Sequence, residues 1–120
     1  MKPNRTGEAW EALAERHLCE RGLSTLARNF HCRLGEIDLI MRDGETIVFV
    51  EVRYRRNNHF GSAIESVTHN KQLKICRTAG IFLSRRPALA SLPCRFDVVG
   101  ISGAPDNTSL EWICAAFEGY

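Results

Sequence analysis

The sequence predicts an α/β fold in which a mixed β-sheet is flanked by helices. Three observations predict it: an amphipathic helical pattern near the start, two strongly apolar strand segments joined by a tight-turn signal, and a second long helix followed by another strand. The resulting order is α-β-β-β-α-β plus a C-terminal element, which is typical of a sheet covered by helices. A chain of 120 residues is expected to form a single domain over residues 1–120.

The first helix is expected over residues 4–21, where apolar residues recur at helical spacing and Gly22 follows as a C-terminal cap. Its apolar face comprises Trp10, Leu13, Ala14, His17 and Leu18, with His17 as a packed histidine. Strands are expected at residues 23–33, 36–42 and 46–54. Asp43-Gly44 between the last two is a hairpin signal, so these strands should be antiparallel neighbours.

The second half of the chain predicts another helix and at least one more strand. A polar loop at residues 55–63 precedes Thr68, which has the N-cap chemistry of a helix that continues to about Arg85. The core-facing residues of this helix are expected to be Leu73, Cys76, Ala79, Gly80 and Leu83. A strand is expected over residues 95–101, and residues 109–117 fit either a short strand or a helix.

Composition excludes several classes of protein. With 44% hydrophobic and 25% charged residues, the chain is neither disordered nor fibrous. No apolar run approaches the ~20 residues that span a bilayer, and the N-terminal residues lack the apolar segment of a secretory signal, so a cytoplasmic protein is expected. The five cysteines are widely spaced and form no C-x-x-C pair, which favours small buried thiols over zinc ligands or disulfides.

Asp38 and Glu51 lie in strands that are otherwise strongly apolar. Asp38 is flanked by isoleucine and leucine, and Glu51 lies between two valines. A carboxylate in a mostly buried sheet loses hydration worth several kcal/mol unless a cation or hydrogen bonds compensate. Both placements therefore call for a specific explanation.

The type of turn decides which carboxylates meet. Simple alternation places Glu36, Asp38 and Ile40 on one face, and Ile37, Leu39 and Met41 on the other. A two-residue Asp43-Gly44 turn places Glu36 opposite Glu51 with Asp38 diagonal to it, whereas a four-residue turn places Asp38 directly opposite Glu51. Both registers gather Glu36, Asp38, Glu51 and Arg53 on one face, and a three-residue turn would scatter them.

Three carboxylates in one patch repel each other, and a divalent cation would relieve that repulsion. Oxygen ligands without a nearby His or Cys favour Mg²⁺ or Mn²⁺ over zinc. Such an ion takes a substrate phosphate oxygen and lowers the pKa of a bound water, and Arg53 would offset charge on the phosphate. The alternative is a half-exposed strand face with ordinary salt bridges among Glu36, Glu51, Arg53 and Arg55.

The motifs GEIDLI at residues 35–40 and VFVEVR at residues 48–53 resemble the D…E-x-K signature of the PD-(D/E)XK nuclease superfamily. More closely, the whole chain resembles the YraN-type family of predicted endonucleases, which are similar to archaeal Holliday-junction resolvases. Further matching stretches are Gly7-Glu8-Ala9, Asn29 with its basic neighbours, Phe60-Gly61, Val67-Thr68 with Lys71-Gln72, and residues 95–99. Their shared order and spacing are specific, and they imply a restriction-endonuclease-like core.

The resemblance implies an endonuclease that hydrolyses DNA phosphodiester bonds with Mg²⁺ or Mn²⁺, in branched or otherwise structured DNA by analogy with resolvases. Asp38 and Glu51 would be the metal ligands, and Glu8 would be an accessory acid from the first helix. Glu36 and Gln72 are expected to be accessory residues of the site. Because resolvases act as symmetric dimers, a homodimer is also implied.

Arg53 departs from the family motif, which has a lysine at this position. Arginine stays protonated and cannot act as a general base, so it would bind the scissile phosphate and leave water activation to the metal. Two alternatives stay open, and Arg53 favours the first of them. One is a nucleic-acid-binding module that retains the fold without cleavage, and the other is a structural or adaptor protein.

Basic residues flank the expected site. Arg55 and Arg56 begin the loop after the strand of Glu51, and Lys71 and Lys74 lie on the second helix. These four residues are expected to contact a DNA backbone without reading bases. Of 16 basic residues 13 are Arg, the better bidentate phosphate ligand, although codon bias accounts for that composition as well.

Overall fold

A five-stranded mixed sheet with helices against both faces organises the residues that the structure describes, which are 5–56, 63–104 and 106–119. The structure is a computed structural model. Its elements in chain order are α1 (Arg5–Glu20), β1 (Ser24–Cys32), β2 (Gly35–Asp43), β3 (Thr46–Arg55), a 3₁₀ turn (Ile64–Ser66), α2 (His69–Ser84), α3 (Pro87–Ala90), β4 (Cys94–Ala104) and β5 (Asn107–Phe117). The predicted fold class and element order are confirmed, and residues 109–117, left open between strand and helix, belong to strand β5.

The strand order in the sheet is β1-β2-β3-β4-β5. Strands β1, β2 and β3 pair antiparallel, as do β4 and β5, whereas β3 and β4 are parallel neighbours. A parallel pair needs a crossover connection, and α2 lies in the segment that provides it. Strand β3, which carries Glu51, is therefore the central strand of the sheet.

Two apolar cores lie on opposite faces of the sheet. Helix α1 packs on one face, where Ala14 and Leu18 meet Val48 and Val50 of β3. Helix α2 packs on the other, where Phe82 meets Phe49 with the two rings edge to face. Because β3 contributes to both cores, its continuous apolar sequence is that of a strand buried on both sides.

The β2–β3 hairpin turns one residue later than a two-residue Asp43-Gly44 turn would. Asp43 pairs with Thr46, so Gly44 and Glu45 are the turn residues. Gly44 has φ +61, a left-handed conformation that the first position of such a tight turn requires and that glycine adopts without strain. The resulting register, with Arg42 opposite Ile47, is the one that the longer turn predicted.

The caps of both long helices were predicted correctly from the sequence, but the buried face of α2 was not. Gly22 follows α1 with φ +99, and the Thr68 hydroxyl accepts a hydrogen bond from Lys71 N at 3.2 Å. The buried residues of α2 are Ile75, Thr78, Ala79 and Phe82. The prediction that Gly80 faces the core is wrong, because the helix is turned so that the large Phe82 side chain fills the core and Gly80 is exposed.

The prediction of buried cysteines is also wrong. Cys19, Cys94 and Cys114 are exposed, and Cys32 and Cys76 are half-buried; all five are free thiols. Apolar neighbours in sequence did not imply burial here, because successive residues of a strand point to opposite faces. Within the described part of the chain, no helix is long and apolar enough to cross a membrane.

Asp97 ties the far edge of the sheet together. This fully buried carboxylate on β4 accepts hydrogen bonds from Arg95 Nε at 3.0 Å, Trp112 Nε1 at 2.9 Å and Ala115 N at 2.9 Å. Arg95 in turn bonds Asp43 at 3.1 Å, next to the hairpin turn. The buried Asp97 carboxylate thus has several hydrogen-bond donors, and a charged group is stable in a core only when it is paired in this way.

Candidate active site

Asp38 lies where strands β2 and β3 stop pairing. The ladder between them ends at Leu39–Val50, and beyond it the Asp38 carboxylate accepts a hydrogen bond from Val52 N at 2.8 Å. The side chain thus takes the place of a backbone carbonyl in binding β3. This contact places Asp38 next to Glu51.

The expected alternation along β2 is wrong at Asp38. Ile37 and Ile40 belong to the same core, on the α2 side, whereas Leu39 and Met41 belong to the α1 side. Two residues separated by an odd number cannot share a face in a regular strand, so the pleat is interrupted between them. The interruption separates Asp38 from the regular ladder and lets its carboxyl reach neighbours on both β3 and α1.

The carboxyls that meet are Asp38, Glu51 and Glu11, and the patch predicted with Glu36 does not form. The Asp38 carboxyl lies next to those of Glu51 and Glu11, close enough for a hydrogen bond when one carboxyl of a pair is protonated. Glu36 is exposed and lies 3.6 Å from His31 Nδ1, so it acts on Asp38 through charge alone. Glu36 lies beyond the end of the β2–β3 ladder, so its side chain is directed to solvent and not toward Glu51.

Glu11 is the site residue that sequence reasoning missed. It lies one helical turn after Glu8 on α1 and hydrogen-bonds both Asp38 and Asn29. Asn29 has φ +49, an uncommon conformation for a non-glycine residue. The available signal was that Glu8, Glu11 and Glu15 share one side of α1 at spacings of three and four, beside the buried stripe.

Burial raises the pKa values of all three carboxyls. For Glu51, which is 5% exposed, burial and then the charge of Asp38 raise the pKa to about 8, against the lowering effects of Arg53 and Lys71. For Glu11, burial and then the charge of Asp38 raise the pKa to about 7. Burial also raises the pKa of Asp38, although the hydrogen bond from Val52 opposes it. The cluster therefore holds protons near neutral pH.

Two cations from different elements approach Glu51. Arg53 lies on the same face of β3, with Nη2 3.3 Å from Glu51 Oε2, and Lys71 Nζ of α2 is 3.7 Å from the same oxygen. Arg53 Nε is buried and has no hydrogen-bond partner among the described residues. The Arg53 side chain is 28% exposed, so the accessible part of its guanidinium is suited to bind a further anion.

The donor chemistry of the cluster fits a hard divalent cation. Its carboxyl oxygens are the ligands that Mg²⁺ and Mn²⁺ prefer, and burial, the main cause of their raised pKa values, disfavours the charged carboxylates unless a cation compensates them. Asp38 and Glu51 would hold the ion. Within the described ranges, no group of three or more His, Cys, Asp or Glu side chains has the arrangement of a metal centre, so water or substrate would complete the coordination.

The remaining predicted site residues lie around this cluster. Glu8 is exposed and lines a cleft of about 200 Å³ together with Glu11 and Asn29. Gln72 donates a hydrogen bond to Val67 O at 3.1 Å, which fixes the start of α2. Lys74 is exposed on α2, and Arg55 and Arg56 end β3 and follow it. Residues 57–62, with the predicted loop and Phe60-Gly61, lie outside the described residues.

Comparison with known proteins supports the relationship that the motifs indicated. The family described as "Uncharacterised protein family UPF0102" matches residues 10–101, a stretch that includes Glu11, Asp38 and Glu51. The chain belongs to this family. Glu8 lies just outside the matched stretch.

Relatives match over nearly the whole chain. The chain is 53% identical to the UPF0102 protein of Saccharophagus degradans over 97% of its length and 95% of the relative's. It is 50% identical to the UPF0102 protein of Stutzerimonas stutzeri over 94% of both chains. It is 49% identical to UPF0102 protein YraN of Salmonella agona over 95% of its length and 85% of the relative's. The YraN part of the resemblance is confirmed, while nuclease activity stays a prediction because these names state none.

Proposed function

We propose that the chain is an endonuclease that hydrolyses DNA phosphodiester bonds, with Mg²⁺ or Mn²⁺ held by Asp38 and Glu51. The observation that carries the proposal is the direct contact of these two carboxyls at the centre of the sheet, with Arg53 and Lys71 within 3.7 Å of Glu51. Adjacent buried carboxyls are costly in a sheet interior, and a bound divalent cation would offset that cost.

The surrounding residues have distinct roles in this proposal. When bound, the divalent cation would supply water activation and charge neutralisation at the scissile phosphate. Arg53, whose side chain is 28% exposed, would bind a phosphate oxygen with its guanidinium and stabilise the charge that develops there. Lys71 lies in the first turn of α2, where the helix N-terminus also favours an anion. Glu11 would hold Asp38 in place through their shared hydrogen bond.

The substrate and assembly follow from the family resemblance. Branched or otherwise structured DNA is the proposed substrate, and a homodimer in the cytoplasm is the proposed form. Arg55, Arg56 and Lys74 would contact the backbone from the end of β3 and from α2.

A cleavage assay with labelled four-way-junction, flap and linear duplex DNA tests the proposal. We expect cleavage with Mg²⁺ or Mn²⁺, none with EDTA, and a loss of at least about 100-fold in Asp38→Ala and Glu51→Gln. Glu111→Gln, an exposed carboxyl on β5, is the matched control and should cleave normally. Calorimetry should show metal binding by the wild type and not by Asp38→Ala. A wild type that binds no metal, even with DNA present, would refute the proposal.

A second candidate is a nucleic-acid-binding module that does not cleave. The ion pair between Arg53 and Glu51 favours it, because a permanently charged arginine holds the carboxylate and cannot take a proton. In that case Asp38→Ala without Mg²⁺ should bind DNA as tightly as the wild type does with Mg²⁺. Tighter binding by the wild type in Mg²⁺, together with cleavage, would exclude this candidate.

A further inference from the structure

Two adjoining cavities run along α2, away from the carboxyl cluster. The first, of about 360 Å³, is lined by Lys71, Lys74 and Ile75 of α2 and by Cys32. The second, of about 430 Å³, is lined by Arg33, Leu34, Ile81 and Arg85, and again by Cys32. Cys32 lines both cavities, and the contact of Gly35 with the buried Thr78 lies between them. Because Lys71 also contacts Glu51, the two cavities follow one another from the site along α2 and the tip of the β1–β2 hairpin, and we call this surface the α2 groove.

The charge of the α2 groove is complementary to a polyanion. It carries four cations, Lys71, Lys74, Arg33 and Arg85, against the single carboxylate of Glu36. That carboxylate lies beside His31. Neither Lys74 nor Arg33 forms an ion pair with a described residue, so both remain available to phosphates.

The floor of the groove is apolar, which suits an unpaired strand better than a DNA duplex. Leu34 is 39% exposed, one of two large hydrophobic side chains in the described part of the chain that stand out in this way. Ile81 lies beside it in the same cavity, and Arg85 places its guanidinium 5.9 Å from the Phe30 ring. A duplex presents mainly sugar and phosphate, whereas an unpaired strand also presents base faces that need apolar or planar partners.

We propose that the α2 groove binds an unpaired strand of nucleic acid that leads into the carboxyl site. Lys74, Arg33 and Arg85 contact its phosphates, and Leu34 and Ile81 contact its bases. From Lys71 to Arg85 the groove extends about 21 Å along the helix, which accommodates several nucleotides. The link to cleavage rests on the proposed nuclease function, while strand binding by the groove does not depend on it.

Fluorescence anisotropy in EDTA tests the groove without cleavage. The probes are a labelled oligothymidylate of about twelve nucleotides and a duplex of the same length. Arg33→Ala with Arg85→Ala should weaken oligothymidylate binding about tenfold and reduce its salt slope by about 1.4, since each phosphate contact contributes about 0.7. Arg16→Ala with Arg21→Ala, two exposed residues on α1 and directly after it, makes the same change in charge and should weaken binding less than about twofold.

A second pair of variants tests the apolar floor. Leu34→Ser should weaken oligothymidylate binding about fivefold through lost base contacts, whereas Leu26→Ser, similarly exposed on β1 outside the groove, should leave it unchanged. Equal losses for the two arginine pairs, equal losses for single strand and duplex, or no effect of Leu34→Ser would overturn the inference.

The two proposals fail separately. Normal strand binding by a wild type that cleaves nothing would contradict the nuclease proposal and leave the groove standing. Flap cleavage that depends on Asp38, with unchanged strand binding in the Arg33 and Arg85 variant, would contradict the groove alone.

Discussion

Replacing Glu51 by Gln should remove much of the dependence of stability on pH. Burial and the charge of Asp38 raise the pKa of Glu51 from 4.5 to about 8. Each pH unit of that rise corresponds to about 1.4 kcal/mol, so the upper limit of its effect is about 5 kcal/mol. Because Asp38 and Glu51 titrate as a pair, we expect about 2–3 kcal/mol for this substitution.

The sign follows from the raised pKa. The folded chain binds this proton more tightly than the unfolded chain, so the stabilisation is complete below about pH 4.5 and is lost as the pH rises through about 8. Glutamine has no proton to lose, and its neutral amide suits the same buried position. The variant should therefore match the wild type at about pH 5 and exceed its stability by about 2–3 kcal/mol at about pH 8.5.

Urea unfolding followed by tryptophan fluorescence measures this difference across the pH range in EDTA. Trp10 and Trp112 pack against the core on the α1 side and report its loss. Glu111→Gln on the exposed surface of β5 is the control and should have the pH profile of the wild type. Parallel profiles for wild type and Glu51→Gln would refute the reasoning, because they would mean that Glu51 titrates alike in both states.

Three further substitutions test the framework around the site, each by urea unfolding. Asp97→Ala should destabilise the fold by about 3–5 kcal/mol, because it removes the buried acceptor shared by the part-buried donors of Arg95 and Trp112; a change below about 1 kcal/mol would contradict this. Gly100→Ala should cost about 1–3 kcal/mol, because its Cβ would lie 2.6 Å from that of Ala63; an unchanged stability would mean that the segment shifts freely. Thr68→Ala should cost about 1 kcal/mol through loss of the α2 N-cap, and Thr68→Ser should restore most of it; equal losses in both would exclude the cap as the cause.

Elements with a strong local pattern were predicted closely from the sequence. The alternation and turn chemistry around Gly44 predicted the β2–β3 hairpin within one residue, and Thr68 predicted the start of α2. Where several helix faces are apolar, as in α2, the pattern did not select the buried one. That choice depends on which side chain, here Phe82, fills the space above the sheet.

Part of the candidate site could likewise be predicted. Charges in apolar strands singled out Asp38 and Glu51, and the period of a strand placed Arg53 beside Glu51. The family resemblance implied that Glu8 is the accessory acid that the first helix contributes to the site. In the structure, the residue of this helix that lies next to Asp38 is Glu11. One helical turn separates the two, and helical periodicity alone does not fix how far along the sheet a helix lies.

The sequence by itself determined the order of helices and strands and singled out the carboxylates within the strands. Both depend on side-chain periodicity and turn preference, which act over a few residues. The tertiary structure decided that the pleat is interrupted at Asp38, that Glu11 completes the cluster, and that Lys71 approaches Glu51 from another element. It also decided that three of the five cysteines are exposed and the other two half-buried. These features depend on how separate elements pack, and that packing is set by the volume and burial of many side chains together.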